Sequence, residues 1–386
     1  MKGRRLSVVL TIILAVALSV SCAQKERKAL SQLDTPEHHT FTGIKLMNQE
    51  KYVDADREFD LAIQLSAKYS KAYAGKGLVK AYQGDFENAF DSMKKASKYA
   101  ETKDEEVFAH IGMGRLYTMQ KEKDNWLDKA EKEFKKAIKI NKDSAPAYHF
   151  LGVAYKNGLQ FEDAGLSFAK VLDLNKEYME EANAEWKVVQ KIQRAMPGST
   201  TGKKIGLVDR ITRADIAALF MEELKIDELY NKKGIPTFDT AFKDPEKYKL
   251  LTSKPAFTAN DIENHTLKAD IEGVLKVGVR GLEVFPDGSY HPDDLITRAG
   301  YALMIEDILI KVSGDEALAT KFIGATSPFP DLRSDLPYFN SAMVVTTRGI
   351  MEAFDLSSGA FMPLGTVSGA DALLIIRKLK EELRYL

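Results

Sequence analysis

The chain has 386 residues, of which 55 are Lys or Arg, 56 are Asp or Glu and one is cysteine. Its length and its 45% hydrophobic content predict two or three ordinary globular domains. A formal net charge of −1 provides no overall field for holding a polyanion, so composition gives no support for wholesale nucleic-acid binding. One cysteine excludes an internal disulfide and a cysteine-rich zinc site.

The first 21 residues have the pattern of a secretory signal. Lys2, Arg4 and Arg5 precede the apolar run 6–20, and small residues follow that run. The run is about 15 residues long, shorter than the roughly 20 that a permanent membrane-spanning helix needs. We therefore expect residues 1–21 to be removed on export.

The end of this segment, Leu18-Ser19-Val20-Ser21-Cys22, resembles the lipobox of bacterial lipoproteins. The resemblance implies that Cys22 is lipidated and begins a tether over residues 22–36. Acyl chains contribute about 0.8 kcal/mol per buried methylene, which gives stable anchoring. Ala23 in place of an aspartate implies the outer membrane, facing the periplasm. The alternative is an ordinary signal-peptidase site, with Ser21 and Ala23 as its small residues.

Residues 37–176 contain a repeat with a period of about 34 residues. Gly43 and Gly77 are 34 residues apart. Four times an alanine is followed, four residues on, by a large apolar residue and, seven on, by a small or branched one: Ala55, Phe59, Ala62; Ala89, Met93, Ala96; Ala130, Phe134, Ala137; Ala164, Phe168, Val171. These spacings lie on one helical face. The pattern predicts helix pairs that approach closely at the small residues, with large side chains filling the gaps between pairs.

This pattern resembles the tetratricopeptide repeat, whose unit is a helix-turn-helix. Residues 37–176 would form four units, which exceeds the three needed for a stable stack. The proline that usually closes each unit is absent here, and the third unit is longer. Residues 177–202 are predicted to form an amphipathic capping helix, over 177–196 with Trp186, Val189 and Ile192 on its buried side, and a linker.

The resemblance implies a concave groove that binds a partner protein, although the array could equally be a rigid spacer. Lys45, Lys76, Lys80 and Arg115 lie on the predicted first helices of their units. They are candidates for a groove that receives acidic segments. The alternative is that they are solvated surface residues.

A second repeat system extends over residues 203–386. Its three copies begin Ile211-Thr212-Arg213-Ala214-Asp215, Ile296-Thr297-Arg298-Ala299-Gly300 and Val367-Ser368-Gly369-Ala370-Asp371. Each predicts a helix with Thr or Ser at the N-cap, and the first and third copies could form a capping box. Two further landmarks recur upstream of the later copies: the glycines Gly278 and Gly349, and aspartates predicted to begin helices, Asp261 and Asp331.

Together with the segment Asp287-Gly288-Ser289-Tyr290-His291-Pro292, these landmarks resemble the S-layer homology domain. The resemblance covers residues 203–386, with a first repeat that lacks a recognisable front half. It implies a mainly α-helical bundle of three repeats about a pseudo-threefold axis, with short irregular or β turn segments. Grooves between such repeats bind cell-wall polymers, including secondary wall polysaccharides and peptidoglycan.

The resemblance also implies which residues contact that ligand. Arg213 and Arg298 match the family's ligand-binding arginine, Gly278 and Gly349 match its turn glycine, and His265 stands at an aromatic position that could stack on a sugar. A guanidinium at a helix start is a planar double donor suited to a carboxylate. The alternative is that both arginines only pack at the helix starts and pair with a neighbouring acidic residue. Because Gly369 replaces the arginine, we expect the third groove to be weakened or structural.

The sequence has no pattern typical of catalysis, a metal site or a cofactor. Its six histidines are scattered, and no metalloprotease or serine-hydrolase motif occurs. We therefore expect a non-enzymatic envelope lipoprotein, without metal, cofactor or nucleic-acid partner. It would tether membrane to wall through residues 203–386 and hold a partner protein through residues 37–176. The alternative is an accessory lipoprotein for secretion, pilus or envelope-complex assembly.

Overall fold

The computed structural model describes residues 26–121, 123–234 and 258–384. These residues form sixteen α-helices and no β-sheet, the only extended pairings among them being isolated bridges. The chain divides into two compact units, Met1–Asn183 and Ala184–Leu386. The predicted signal segment and Cys22 lie outside the described residues. Among the helices of the described segments, none combines the length and apolar character that crossing a membrane requires.

The N-terminal unit is a run of consecutive helix pairs. Each pair packs internally, and the first helices of successive pairs also pack on one another, as in a helical repeat array. The pairs are α1 (Pro36–Asn48) with α2 (Tyr52–Leu65), α3 (Ser70–Tyr82) with α4 (Phe86–Tyr99), α5 (Lys103–Met119) with α6 (Trp126–Ile140), and α7 (Ala145–Asn157) with α8 (Phe161–Leu174).

The small-large-small pattern forms the core of this array, as predicted. All twelve residues of the four sets are fully buried. The Phe59 ring lies between Gly43 of its own pair and Gly75 of the next, where an added Cβ would come within 2.8 and 2.2 Å of the ring. At Gly114 an added Cβ would come within 2.7 Å of the Phe134 ring. The glycines therefore admit the large side chains between helices.

Polar side chains fix where several of these helices begin. The Thr35 hydroxyl accepts a hydrogen bond from the His38 amide, and Thr102 and Glu105 form a reciprocal capping box at α5. Such caps satisfy backbone amides that the first helical turn leaves without partners.

The C-terminal unit is a bundle of helices of unequal length around one apolar core. It begins within α9 (Met179–Ala195), whose Val189 and Ile192 are buried as predicted, while Trp186 is half-buried. Its other helices are α10 (Thr200–Ile205), α11 (Arg213–Ala218) with a π-helical continuation at Leu219–Leu224, α12 (Ile226–Lys232), α13 (Lys268–Val277), α14 (Arg298–Ser313), α15 (Phe339–Thr347) and α16 (Gly369–Leu383); a 3₁₀ turn spans Glu316–Thr320.

The starts of α11, α14 and α16 are joined by a closed ring of backbone hydrogen bonds. The Ile211 amide donates to the Val367 carbonyl at 2.9 Å, the Ile296 amide to the Ile211 carbonyl at 3.0 Å, and the Val367 amide to the Ile296 carbonyl at 3.2 Å. Each residue stands directly before the Thr or Ser that caps its helix. The three predicted copies therefore occupy equivalent places around one point.

The two landmark aspartates do not begin helices, contrary to the sequence prediction. Asp261 and Asp331 instead lie in turns well before α13 and α15. The Asp261 carboxylate accepts from the amides of Tyr290 and His291, both at 2.8 Å. In the same way, the Asp331 carboxylate accepts from the backbone amides of residues 361 and 362, at 2.8 and 2.7 Å. Each aspartate therefore holds the segment that precedes the next helix start.

The predicted linker is a packed part of the C-terminal unit. Ser199 caps the short helix α10, and the buried Glu223 carboxylate accepts from the Gly198 amide at 2.9 Å and the Ser199 amide at 2.8 Å. A buried carboxylate is stabilised by such donors. The division between the units accordingly falls inside α9 rather than near residue 202.

Candidate functional site

Arg213, the first residue of α11, lies against the segment that precedes α14. Its Nε donates to the Tyr290 carbonyl at 2.8 Å, and its two terminal nitrogens donate to the carbonyls of Gly281 at 2.6 Å and Glu283 at 3.0 Å. The guanidinium carbon lies 4.7 Å from the Tyr290 ring centroid and 5.1 Å from that of Phe285. The arginine thus fastens the helix start to a neighbouring repeat.

Arg298, the first residue of α14, repeats this arrangement one copy further on. Its Nε donates to the Phe361 carbonyl and one terminal nitrogen to the Glu352 carbonyl, each at 2.6 Å. The rings of Phe361 and Phe354 lie 4.8 and 5.6 Å from the guanidinium carbon. Burial lowers the pKa of Arg298, and the carboxylates of Asp371 and Asp331 act in the opposite direction. It stays charged because the ordinary pKa of a guanidinium lies far above neutrality.

Both arginines therefore pack at their helix starts, as the alternative predicts, but neither forms an ion pair with an acidic side chain in the described part of the chain. Carbonyl oxygens accept their hydrogen bonds within the described part of the chain. A guanidinium has five N–H donors, and these contacts use three on Arg213 and two on Arg298. Two donors on Arg213 and three on Arg298 have no hydrogen-bond partner within the described part of the chain, and 9% and 7% of these residues are exposed.

Each arginine lines a surface groove. Groove A, of about 500 Å³, is bordered by Arg213, Arg280, Gly281, Glu283, Phe285, Asp294, Leu295 and the first turns of α14. Groove B, of about 450 Å³, is bordered by Arg298, Lys191, Arg194, residues of the segment 350–356, and one side of α16, including Asp371, Arg377, Lys378 and Glu381. Both lie between an arginine, the loop that accepts its hydrogen bonds, and the following helix, so they are equivalent positions in successive copies.

The other predicted contact residues shape the loops and do not line these grooves. Gly278 and Gly349 end α13 and α15 with φ of 77° and 67°, a left-handed conformation that favours glycine. The His265 Nδ1 accepts from the Leu267 amide at 3.1 Å, in the turn before α13. The structure therefore brings Arg213 and Arg298 into grooves and leaves Gly278, Gly349 and His265 outside them.

The third copy has no room for an arginine. A Cβ on Gly369 would lie 1.7 Å from the Ile205 carbonyl oxygen, because the end of α10 packs directly on the start of α16. The Gly369 amide donates to the Val208 carbonyl at 2.8 Å, as the Arg213 and Arg298 amides donate to Asp294 and Gly365. The segment before α11 thus holds the start of α16, as the segments before α14 and α16 hold the starts of α11 and α14.

The candidate cations of the N-terminal unit divide into two groups. Lys76 pairs with Asp60 at 2.5 Å and Lys80 with Asp56 at 3.0 Å, whereas Lys45 is exposed on α1. These paired lysines have acidic partners of their own, so they contribute little net positive charge to a groove.

Arg115 belongs to an aromatic groove of about 400 Å³, which is bordered by residues of α3, α5 and α7 and the start of α4. Its terminal nitrogen donates to the Tyr82 hydroxyl at 3.0 Å, and its guanidinium carbon lies 4.2 Å from the Phe150 ring centroid. We call this surface the aromatic groove; its wall also includes Phe86 and Met119.

Sequence reasoning missed the residues that give groove B its positive charge and its apolar surface. Lys191 and Arg194 come from α9, which was predicted only as a cap, and Phe354 and Leu356 come from the loop after α15. The only sequence indication was the spacing of Lys187, Lys191 and Arg194 along one helical face.

The described residues contain no group of three or more histidine, cysteine or acidic side chains placed to hold a metal ion. A comparison with protein-family models and a search of curated proteins found no match to the chain.

Proposed function

We propose that the protein is a lipid-anchored envelope scaffold that binds the cell wall through its C-terminal unit and a partner protein through its N-terminal helix pairs. The C-terminal unit would be an S-layer homology domain with a pseudo-threefold arrangement, and the N-terminal pairs a tetratricopeptide array. The protein would tether the outer membrane, from its periplasmic face, to peptidoglycan or a wall-attached polymer.

The observation that carries the proposal is the closed ring formed by Ile211, Ile296 and Val367. A ring of three equivalent donors and acceptors is expected of three repeats arranged about one axis. The grooves beside Arg213 and Arg298 occupy the positions at which the sequence resemblance implies ligand contact. Donors that remain on both guanidiniums could bind a carboxylate or hydroxyl of a wall polymer.

Sedimentation with purified peptidoglycan sacculi tests wall binding. The exported chain is used with Cys22→Ser, so that lipid cannot cause sedimentation. We expect the protein to co-sediment with untreated sacculi, and removal of wall-attached polymers then distinguishes the two wall ligands. Absence of the protein from the pellet under all conditions would refute the proposed wall binding.

The anchor has its own test, because Cys22 lies outside the described residues. Radiolabelled palmitate should enter the protein in cells and should fail to enter Cys22→Ala. Equal labelling of the two proteins, or no labelling of either, would contradict the anchor and leave the wall-binding proposal standing.

The aromatic groove favours a second candidate function, that of an accessory lipoprotein in secretion, pilus or envelope-complex assembly. Exposed aromatic surface beside a cation is typical of protein interfaces, in which Tyr, Phe and Arg are enriched. Under this alternative, Phe150→Ala would abolish co-purification of an envelope protein, and sacculi would not retain the chain. Under the tether proposal, Phe150→Ala retains sedimentation with sacculi.

A further inference from the structure

We infer that Arg194 makes groove B selective for an anionic sugar, whereas the equivalent groove A has no such selectivity. The inference rests on the proposed wall-binding function and names the ligand chemistry of one groove. Its basis is a difference between two sites that the repeat otherwise builds alike.

The two grooves differ in charge. Groove A is bordered by two basic side chains, Arg213 and Arg280, and two acidic ones, Glu283 and Asp294. Groove B is bordered by five basic and three acidic side chains. A net charge of +2 in a concave surface attracts an anion, because low-dielectric walls focus the field.

Ion pairs account for all three acidic side chains of groove B. Lys191 pairs with Asp371 at 2.6 Å, Lys378 with Glu352 at 2.5 Å, and Arg377 with Glu381 at 2.7 Å. Neither Arg194 nor Arg298 forms an ion pair with an acidic side chain within the described part of the chain, although the Glu352 carboxylate interacts with Arg194, and the Asp371 and Asp331 carboxylates with Arg298, at longer range. These two guanidiniums are therefore the groups that an anionic ligand would meet.

Groove A has no equivalent pair of cations. Arg280 lies 3.7 Å from the buried Glu306 carboxylate, and Arg213 already donates to three carbonyls. The difference arises from α9, which supplies Lys191 and Arg194 to groove B. Lys191 neutralises Asp371, which would otherwise repel an anion, and Arg194 adds an exposed positive charge.

The apolar side of groove B fits a sugar ring. Phe354 is 56% exposed and Leu356 is 80% exposed, although both are large apolar residues. An exposed aromatic ring next to a guanidinium offers a flat surface for the C–H face of a pyranose and a donor for a charged substituent. The combination favours a sugar bearing a carboxylate over a simple inorganic anion.

The test uses two probes that differ by one O-lactyl group, which carries a carboxylate: N-acetylmuramic acid has this group and N-acetylglucosamine lacks it. NMR titration of the full exported chain, carrying Cys22→Ser, measures the affinity for each. We expect the acidic sugar to bind more tightly, and Arg194→Gln to weaken its binding about tenfold while leaving the neutral sugar unaffected, as expected for the loss of a charge-assisted hydrogen bond. Added salt should reduce the preference.

Lys187→Gln is the matched control. Lys187 is an exposed residue of the same helix and does not border groove B, so this variant makes the same charge change and should retain wild-type affinities. Equal affinity for the two sugars, no binding of either, or unchanged binding by Arg194→Gln would overturn the inference. If the protein still sediments with sacculi in those cases, the proposed function stands and only the assigned selectivity fails.

Discussion

The contact between α10 and the start of α16 predicts that Gly369→Ala severely destabilises the C-terminal unit. The added Cβ would lie 1.7 Å from the Ile205 carbonyl oxygen and 2.6 Å from the Ile205 carbonyl carbon. An ordinary contact between such atoms is about 3.5 Å, so the backbone at residue 205 must retreat by roughly 2 Å. The atoms are backbone, so no rotamer change can relieve the clash.

That displacement would break two hydrogen bonds. The Val208 amide donates to the Ile205 carbonyl at 2.9 Å, and the Gly369 amide donates to the Val208 carbonyl at 2.8 Å. Each bond contributes about 1 kcal/mol net, and overpacking of this kind costs about 1–3 kcal/mol. The expected loss is about 4 kcal/mol, which for a unit of roughly 200 residues lowers the Tm by about 8–16 °C.

Calorimetry of the full chain measures the loss, and hydrogen exchange of peptides covering residues 199–210 and 365–375 assigns it to this contact. Gly198→Ala is the control, since its Cβ would come no closer than 3.9 Å to the Glu223 carboxylate; we expect a change within about 0.5 kcal/mol. A loss below about 1 kcal/mol in Gly369→Ala would show that α10 yields easily and would refute the reasoning.

Three further predictions concern the core, the aspartate contacts and pH. Phe134→Ala removes a fully buried ring and should cost about 3–5 kcal/mol in urea unfolding, whereas Phe41→Ala, at a residue 68% exposed on α1, should have little effect; equal losses would contradict the assigned packing. Asp331→Ala leaves two backbone amides without their carboxylate and should lower the free energy of unfolding by about 1–3 kcal/mol. A thermal melt of the variant that matches wild type would contradict this role. Burial lowers the pKa of His39, but hydrogen bonds to Glu58 at 2.6 Å and Asp34 at 2.9 Å outweigh it and raise the pKa overall. A raised pKa stabilises the fold below the unfolded value of about 6.5, and this contribution disappears as pH rises through the folded value. The difference in unfolding free energy between wild type and His39→Gln should therefore shrink from acidic to alkaline pH, and a constant difference would be inconsistent with this pairing.

Local patterns in the sequence were enough to predict the helices and the buried residues of the N-terminal array. The sets around Phe59, Met93, Phe134 and Phe168 are all buried, because helical periodicity places residues four and seven apart on one face whatever surrounds them. The N-caps at Thr212, Thr297 and Ser368 form for a similarly local reason, since each hydroxyl reaches an amide three residues on.

Other predictions failed because they depended on distant contacts. The segment 197–204 has the composition of a linker, yet it packs within the C-terminal unit, because the buried Glu223 carboxylate accepts from the Gly198 and Ser199 amides directly before the helix that begins at Thr200. Asp261 and Asp331 look like helix caps in sequence, yet their carboxylates bind amides about 30 residues away. Short-range spacing contains no information about such partners.

The candidate site divides in the same way. The sequence by itself determined the positions of Arg213 and Arg298 and their places at helix starts, because the repeated motif is local. Tertiary structure alone decided how many of their N–H groups bind backbone carbonyls and which other residues share their grooves. It also decided that position 369 has no room for a side chain. Arg194 is the clearest case: it lies 104 residues before Arg298 in the chain, and only the packing of α9 within the C-terminal unit brings both side chains to groove B.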